Sequence, residues 1–219
     1  FFERGIRYVT LAHSKSNAFS DSSYDDNERW HGLSDSGRIL IARLNDLGIM
    51  VDVSHISDRA FWQVMSHSAA RYFVPGFERD ISDDMIRALA ARGGVVQVNF
   101  GSTFVTSAGH AWTSELDDAM KRFEGESRAA PGSPDVAAFT KTYRDEHPFP
   151  YATVGDVLDH IDHIVALVGV DSVGIGSDFD GVGDTLPVGL KDVSMYPNLI
   201  AGLLERGYGE SQIRKILGE

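Results

Sequence analysis

The run "MVDVSH", residues 50–55, ends in a histidine, and a second histidine follows in "MSHSAAR" at His67. Neutral imidazole is a common zinc ligand. Two histidines with carboxylates nearby would suit hydrolysis: the metal polarises a carbonyl and lowers the pKa of a bound water, while a carboxylate moves protons. Polar groups close other apolar runs too, at His13, Asn99 and Asp178. His55 and His67 are not an HExxH pair, so spacing alone also admits histidines that serve only as surface or hydrogen-bonded residues.

These residues need elements that bring them together. "RYVTLAH" reads as a strand ending at His13, followed by an irregular polar loop from Ser14 to Gly32. Ser34 looks like the N-cap of "DSGRILIARLNDLG", with Ile39, Leu40, Ala42, Arg43 and Leu47 as its periodic face. "IMVDVSH" is the next strand. Ser57 caps "DRAFWQVM", and Ser82 caps "DDMIRALAARGG", whose first-turn Asp83 and Asp84 favour the positive helix end. "VVQVNF" is a strand. From 101 to 150 the pattern loosens into an excursion with helices near 115–123 and 135–144. Thr153 caps "VGDVLDHIDHIVALVG", "DSVGIGSDFDG" is a strand with its outgoing loop, and helices near 192–206 and 210–217 close the chain.

Strands alternating with helices predict an α/β fold with a parallel sheet and right-handed crossovers. An open doubly wound sheet and a closed (β/α)8 TIM-type barrel both satisfy that order. No Gly-rich phosphate loop follows any strand, which removes the main support for a nucleotide-binding open sheet. In a barrel all C-terminal strand ends share one rim, where active sites sit. That arrangement would gather His13, His55, Asn99 and Asp178.

Composition narrows the classes further. The 219 residues suffice for one α/β domain. A net charge of −12 argues against a nucleic-acid partner, whose phosphates require a basic face. There are no cysteines, so disulfides, thiolate zinc sites and cysteine nucleophiles are excluded. No apolar run approaches the length of a transmembrane helix. The first residues, "FFERGIRYVTLAH", lack the regions of a signal peptide and a starting Met.

The strings "RYVTLAHSKSNAFSDSS", "LGIMVDVSHISDRAFW", "SHSAAR", "PGFERDISDDMIRALAARGGVVQVNF", "HIDHI" and "GIGSDFDGV" together resemble the membrane (renal) dipeptidase family of zinc metallopeptidases. The resemblance runs in the family's order over nearly the whole chain. It implies a (β/α)8 barrel with two zinc ions at the strand ends, hydrolysing dipeptides by metal-activated water. It implies that His55 and His67 are ligands of the second zinc. His13 would contact the substrate and the developing oxyanion. Arg79 would grip the substrate's terminal carboxylate, a role suited to its planar fork. Asp178 would handle protons, with Asp180 as a supporting neighbour.

The sequence also departs from that pattern. The family's first zinc is held by an N-terminal His-x-Asp motif and a bridging Glu, and neither has a counterpart here. An apolar strand expected before "SHS" is absent, Met65 being followed directly by Ser66. The expectation is a single domain over 1–219 that forms the C-terminal portion of a longer barrel, incomplete by itself. The missing first-zinc motif motivates an alternative, a non-hydrolytic homologue acting in peptide natural-product maturation. The resemblance leaves room for a homodimer, and the long excursion favours the periplasm slightly over the cytoplasm. Of the remaining histidines, His160 and His163 in "DHIDHI" read as a solvated or capping face beside Asp159 and Asp162. Phe61, Trp62 and Trp30 read as core or loop anchors.

Overall fold

The computed structural model describes residues 1–64 and 70–219, and His67 lies outside the described residues. The chain alternates strand and helix: β1 (Tyr8–Thr10), α1 (Asp35–Asp46), β2 (Met50–Asp52), α2 (Asp58–Val64), α3 (Asp83–Ala90), β3 (Val96–Asn99), α4 (Ser102–Val105), α5 (Ser107–Ser127), α6 (Pro134–Glu146), α7 (Val154–Val168), β4 (Val173–Ser177), α8 (Tyr196–Glu205) and α9 (Glu210–Ile216). The expected caps form. Ser34 accepts from the Gly37 amide, Ser57 from Ala60, Ser82 from Met85, and Thr153 makes a capping box with Asp156.

The strands form two parallel pairs. In one, Tyr8, Val9 and Thr10 lie opposite Met50, Val51 and Asp52. In the other, Val96, Gln97 and Val98 lie opposite Val173, Gly174 and Ile175, with an irregularity before Asn99 meets Ser177. Closure into a barrel requires each strand to pair on both edges. Each of these four strands pairs on one, so the closed sheet expected from the sequence is not seen among the described residues.

The core fills the space between the strands and α3, α7, α8 and α9. Met85, Ile86 and Leu89 of α3, Ile161 and Ile164 of α7, Leu199 and Leu203 of α8 and Ile216 of α9 are fully or almost fully buried with Val96, Val98 and Phe100. Burying such a side chain contributes about 1.5–3 kcal/mol. α7 packs on α3, α8 and both strands β3 and β4, which makes it the central helix of this half.

Three sequence expectations need correction. The segment 101–150 is an ordered helical hairpin. α5, capped by Thr106, runs far beyond 115–123, and α6 begins on the Ser133 cap with Pro134 in its first turn. The hairpin is held by stacked rings of Phe123 and Phe139, 4.5 Å apart, and by the Trp112 indole N–H donating to the His147 carbonyl. In α1 the buried residues are Gly37 and Leu44, and Ile39 is 71% exposed. β1 and β2 stop at Thr10 and Asp52, so His13 and His55 sit on the loops just beyond the strands.

Candidate active site

Four of the residues singled out from the sequence sit at or just beyond a strand end. His13 follows β1, His55 follows β2, Asn99 ends β3, and Asp178 comes directly after β4. Within each parallel pair the two ends lie on the same side. His13, Asp52, His55, Arg79, Asn99 and Asp178 all line one cleft of about 530 Å³.

The two imidazoles are neighbours. The rings of His13 and His55 lie 4.1 Å apart at 31° to one another. His55 reaches this position with a left-handed backbone, φ 70°. Ser177 (φ 46°) and Asp178 (φ 66°) are left-handed as well. Such residues cost of order 1 kcal/mol or more each and collect at functional sites. Here they turn the chain abruptly at strand ends, bringing His55 and Asp178 onto the cleft.

The long loop from Ser14 to Gly32 fastens both histidine backbones. The Ser22 hydroxyl donates to the His13 carbonyl at 2.5 Å, and the Ser23 amide donates to the His55 carbonyl at 2.8 Å. The loop is organised around the fully buried Asp21, whose carboxylate accepts from the amides of Arg29, Trp30 and Gly32. Trp30 anchors the loop through its indole N–H to the Asn17 carbonyl. Trp62 is half exposed, whereas Phe61 is in the core.

Two carboxylates are fixed by neighbours. Asp52 accepts from the Thr10 hydroxyl at 2.6 Å and from the Ser54 amide at 2.8 Å. Asp178 accepts at Oδ2 from the Asn99 side-chain amide at 2.8 Å. Asn99 is itself oriented, because its Oδ1 accepts from the Gly101 amide at 2.7 Å. Gly181 leaves room for this carboxylate: a Cβ there would lie 2.1 Å from Asp178 Oδ1, so a larger residue would displace the Asp178 side chain. Asp180 is exposed and does not line the cleft.

Arg79 is 8% exposed and reaches the cleft, with its guanidinium 5.4 Å from the centre of the Phe104 ring. Its neighbour Asp80 is fully buried, and neither carboxylate oxygen has a hydrogen-bond partner among the described residues. Burial pushes the Asp80 carboxyl well above its ordinary pKa, while Arg79 and Arg71 pull the other way.

His160 and His163 are structural. His160 is fully buried; its Nε2–H donates to the Val105 carbonyl at 3.0 Å, and its Nδ1 accepts from the Ala70 amide at 3.3 Å. Burial lowers its pKa to about 4, keeping it neutral. His163 pairs with Asp83 at 2.8 Å and stacks on Tyr72. The solvated face expected for His160 is therefore replaced by a core hydrogen bond, because α7 is covered by neighbouring elements.

Among the described residues no group of three or more potential metal ligands gathers at one point. The donor chemistry at the cleft is nevertheless of the right kind for zinc: His55 adjoins a second imidazole, and two ordered carboxylates line the same space. Sequence reasoning did not assign functional roles to Asp52 or Asn99, which both line the cleft. Asp52 falls within the quoted "MVDVSH", and Asn99 was visible as a strand-end polar residue.

Residues 1–219 match the family model described as membrane dipeptidase (peptidase family M19). The chain is 31% identical over 227 residues to dipeptidase tcpJ of Claviceps purpurea, covering 100% of this chain and 44% of that protein. It is 34% identical over 230 residues to an uncharacterized dipeptidase of Schizosaccharomyces pombe, covering 100% of this chain and 45% of that one. Among solved structures it resembles the probable dipeptidase PvdM from Pseudomonas aeruginosa, with TM-score 0.79, 29% identity, and coverage of 99% of this chain and 61% of that one. It also resembles a metallopeptidase from Rhodobacter sphaeroides liganded with a phosphinate mimic of the dipeptide L-Ala-D-Ala, with TM-score 0.73, 25% identity, and coverage of 100% and 55%. The chain spans about half the length of the curated relatives it matches. On the family match over residues 1–219 and these relatives, the chain belongs to the membrane dipeptidase family.

Proposed function

We propose that the full-length protein is a zinc-dependent dipeptidase and that the cleft bearing His13, His55, Arg79 and Asp178 is its active site. The observation that carries this reading is convergence. Four side chains from four separate segments, each singled out from the sequence, line one 530 Å³ cleft. Membership of the dipeptidase family supports it as well. The family likeness also supports closure of the two strand pairs into one barrel in the longer protein, with residues 1–219 as its C-terminal portion, and two bound metal ions.

His55 and His67 would hold one zinc. Zinc there supplies Lewis acidity, polarising a carbonyl and making water a nucleophile near neutral pH. The chain's own residues divide the remaining work. Arg79 binds the free carboxylate of the dipeptide, its buried base holding the guanidinium in place. His13 donates to the oxygen on which negative charge develops as the peptide carbonyl is attacked. Asp178 takes a proton from the attacking water and returns it to the leaving amine. Its Oδ2 is engaged by Asn99, so the proton moves at Oδ1.

The test is metal content. Full-length protein should carry about two zinc ions, and His55→Ala should lose at least one of them. Unchanged stoichiometry in His55→Ala removes His55 from the metal site.

A further inference from the structure

Asp178 reaches the cleft from a sharp turn, and that turn is held by a residue outside the cleft. Ser177 and Asp178 are consecutive residues with left-handed backbones, φ 46° and 66°. A serine and an aspartate are strained there, where glycine would not be. The buried Ser177 side chain is hydrogen-bonded through its hydroxyl to the Tyr196 hydroxyl, at the start of α8. Tyr196 does not line the cleft, and the mechanism above gives it no task.

This contact completes a set. The Ser177 carbonyl accepts from the Phe100 amide at 3.1 Å, on the β3 side of the turn. The Asp178 carbonyl accepts from the Gly181 amide at 3.1 Å, and its carboxylate accepts from Asn99 at 2.8 Å. Tyr196 supplies the contact on the α8 side. Its ring also meets Phe100 edge-on, with centroids 6.3 Å apart, and Phe179 at 5.8 Å, and those two rings lie 5.8 Å from each other. Phe100 follows Asn99 and Phe179 follows Asp178, so the three rings back both members of the Asn99–Asp178 pair.

Tyr196 is itself fixed. Just before it, the Asp192 carboxylate accepts from the Ser194 amide at 2.8 Å, and the Met195 amide donates to the Asp192 carbonyl at 3.1 Å. Pro197 stands in the first turn of α8, and Leu199 and Leu203 seat that helix in the core. The hydroxyl therefore holds the turn from a rigid element, which fixes a partner more closely than a loop does.

We infer that Tyr196 is a positioning residue for Asp178: its hydroxyl, bonded to Ser177, holds the left-handed turn in the form that directs the Asp178 carboxylate to Asn99 and the cleft. This rests on the proposed role of Asp178 in proton transfer and adds to it the element that keeps that carboxylate in place. Tyr196→Phe removes one hydroxyl and keeps the ring against Phe100 and Phe179. Ser177→Gly removes the other and suits the left-handed backbone, so it relaxes the turn rather than straining it.

The experiment is steady-state kinetics of the full-length, zinc-loaded protein on L-Ala-D-Ala, with metal content measured for each variant. Tyr196→Phe and Ser177→Gly should each lower kcat about tenfold, with KM within about twofold and metal content unchanged. Combining them should cost no more than either alone, because both break the same bond. Adding Tyr196→Phe to Asp178→Asn should cost nothing further. A kcat for Tyr196→Phe within twofold of wild type overturns the inference. So does a loss that persists undiminished in the Asp178→Asn background, or one carried by KM or by lost metal, either of which would mark Tyr196 as general support. Ser177→Gly is judged by the same criteria and decides alone if Tyr196→Phe does not fold. If the wild type cleaves no dipeptide under any metal loading, the dipeptidase reading falls and this inference with it; a wild type that cleaves while Tyr196→Phe cleaves equally well sinks the inference alone.

Discussion

The side-chain amide of Asn99, at the end of β3, donates to Oδ2 of Asp178, just past β4, across 2.8 Å. The Gly101 amide fixes the other end of Asn99, so the direction of that bond is set. A neutral donor on one oxygen holds the carboxylate in place without removing its charge. On the proposed mechanism, Asp178→Asn should lower kcat by about 10²–10⁴ with little change in KM, the usual worth of general acid–base catalysis. Asn99→Ala should lower kcat less, by about tenfold, through loss of orientation. Kinetics of both variants checks this; an Asp178→Asn enzyme within threefold of wild type with its metal intact removes Asp178 from the chemistry.

Arg79 should govern binding rather than the chemical step. Losing a charge-assisted contact to a carboxylate costs about 1.5–3 kcal/mol. Arg79→Met should raise KM for a dipeptide roughly 10- to 150-fold, and wild type should cleave dipeptide amides poorly. Efficient cleavage of the amide by wild type would assign Arg79 another task.

His160 should make the fold acid-sensitive. Its folded pKa of about 4 lies below the ordinary 6.5, so between those values the unfolded chain binds more protons. Stability contributed by neutral His160 is therefore full above about pH 6.5 and falls as pH drops toward 4, by about 3 kcal/mol in all. Denaturant titrations from pH 7 to 4 should show this slope. His160→Gln should flatten it, while costing about 1–3 kcal/mol at pH 7 because the Ala70 amide loses its acceptor. An equally steep slope in the variant would assign it to other groups.

Asp80 acts in the opposite sense to most carboxylates. Its folded pKa is raised by burial, so above the ordinary carboxylate value the folded state binds more protons, and stability falls as pH rises. Asp80→Asn removes that cost with almost no change in shape. It should stabilise the protein at pH 7, and the gain should shrink toward pH 4. A lower melting temperature for Asp80→Asn at pH 7 would mean that the carboxylate is ionised and paired in the full-length protein.

The strand ends of this site were legible because an apolar run closed by a polar residue is a local pattern. His13, His55, Asn99 and Asp178 each carry that signature, and the motif strings added Arg79. The contact of Tyr24 with the His55 ring was not legible: the two are distant in sequence, and nothing in "SDSSYDD" distinguishes Tyr24 from other loop residues. His160 misleads for a related reason. Aspartates at 159 and 162 suggest a wet face, yet α7 is covered by neighbouring elements, and burial of one imidazole depends on those contacts alone. The hairpin α5–α6 was underestimated because its surface is largely polar, although its caps at Thr106 and Ser133 are both in the sequence. Barrel closure depends on pairings that no single strand encodes, and among the described residues each strand makes one of the two it would need.

The central claim is metal-dependent dipeptide hydrolysis at this cleft, and one measurement addresses it directly. Purified full-length protein is assayed for release of alanine from L-Ala-D-Ala as isolated, after removal of metal by a chelator, and after zinc is added back. The account predicts cleavage that disappears with the metal and returns with zinc. Cleavage that persists in protein verified to be metal-free, or no cleavage of this or any other dipeptide in the zinc-loaded protein, would contradict it.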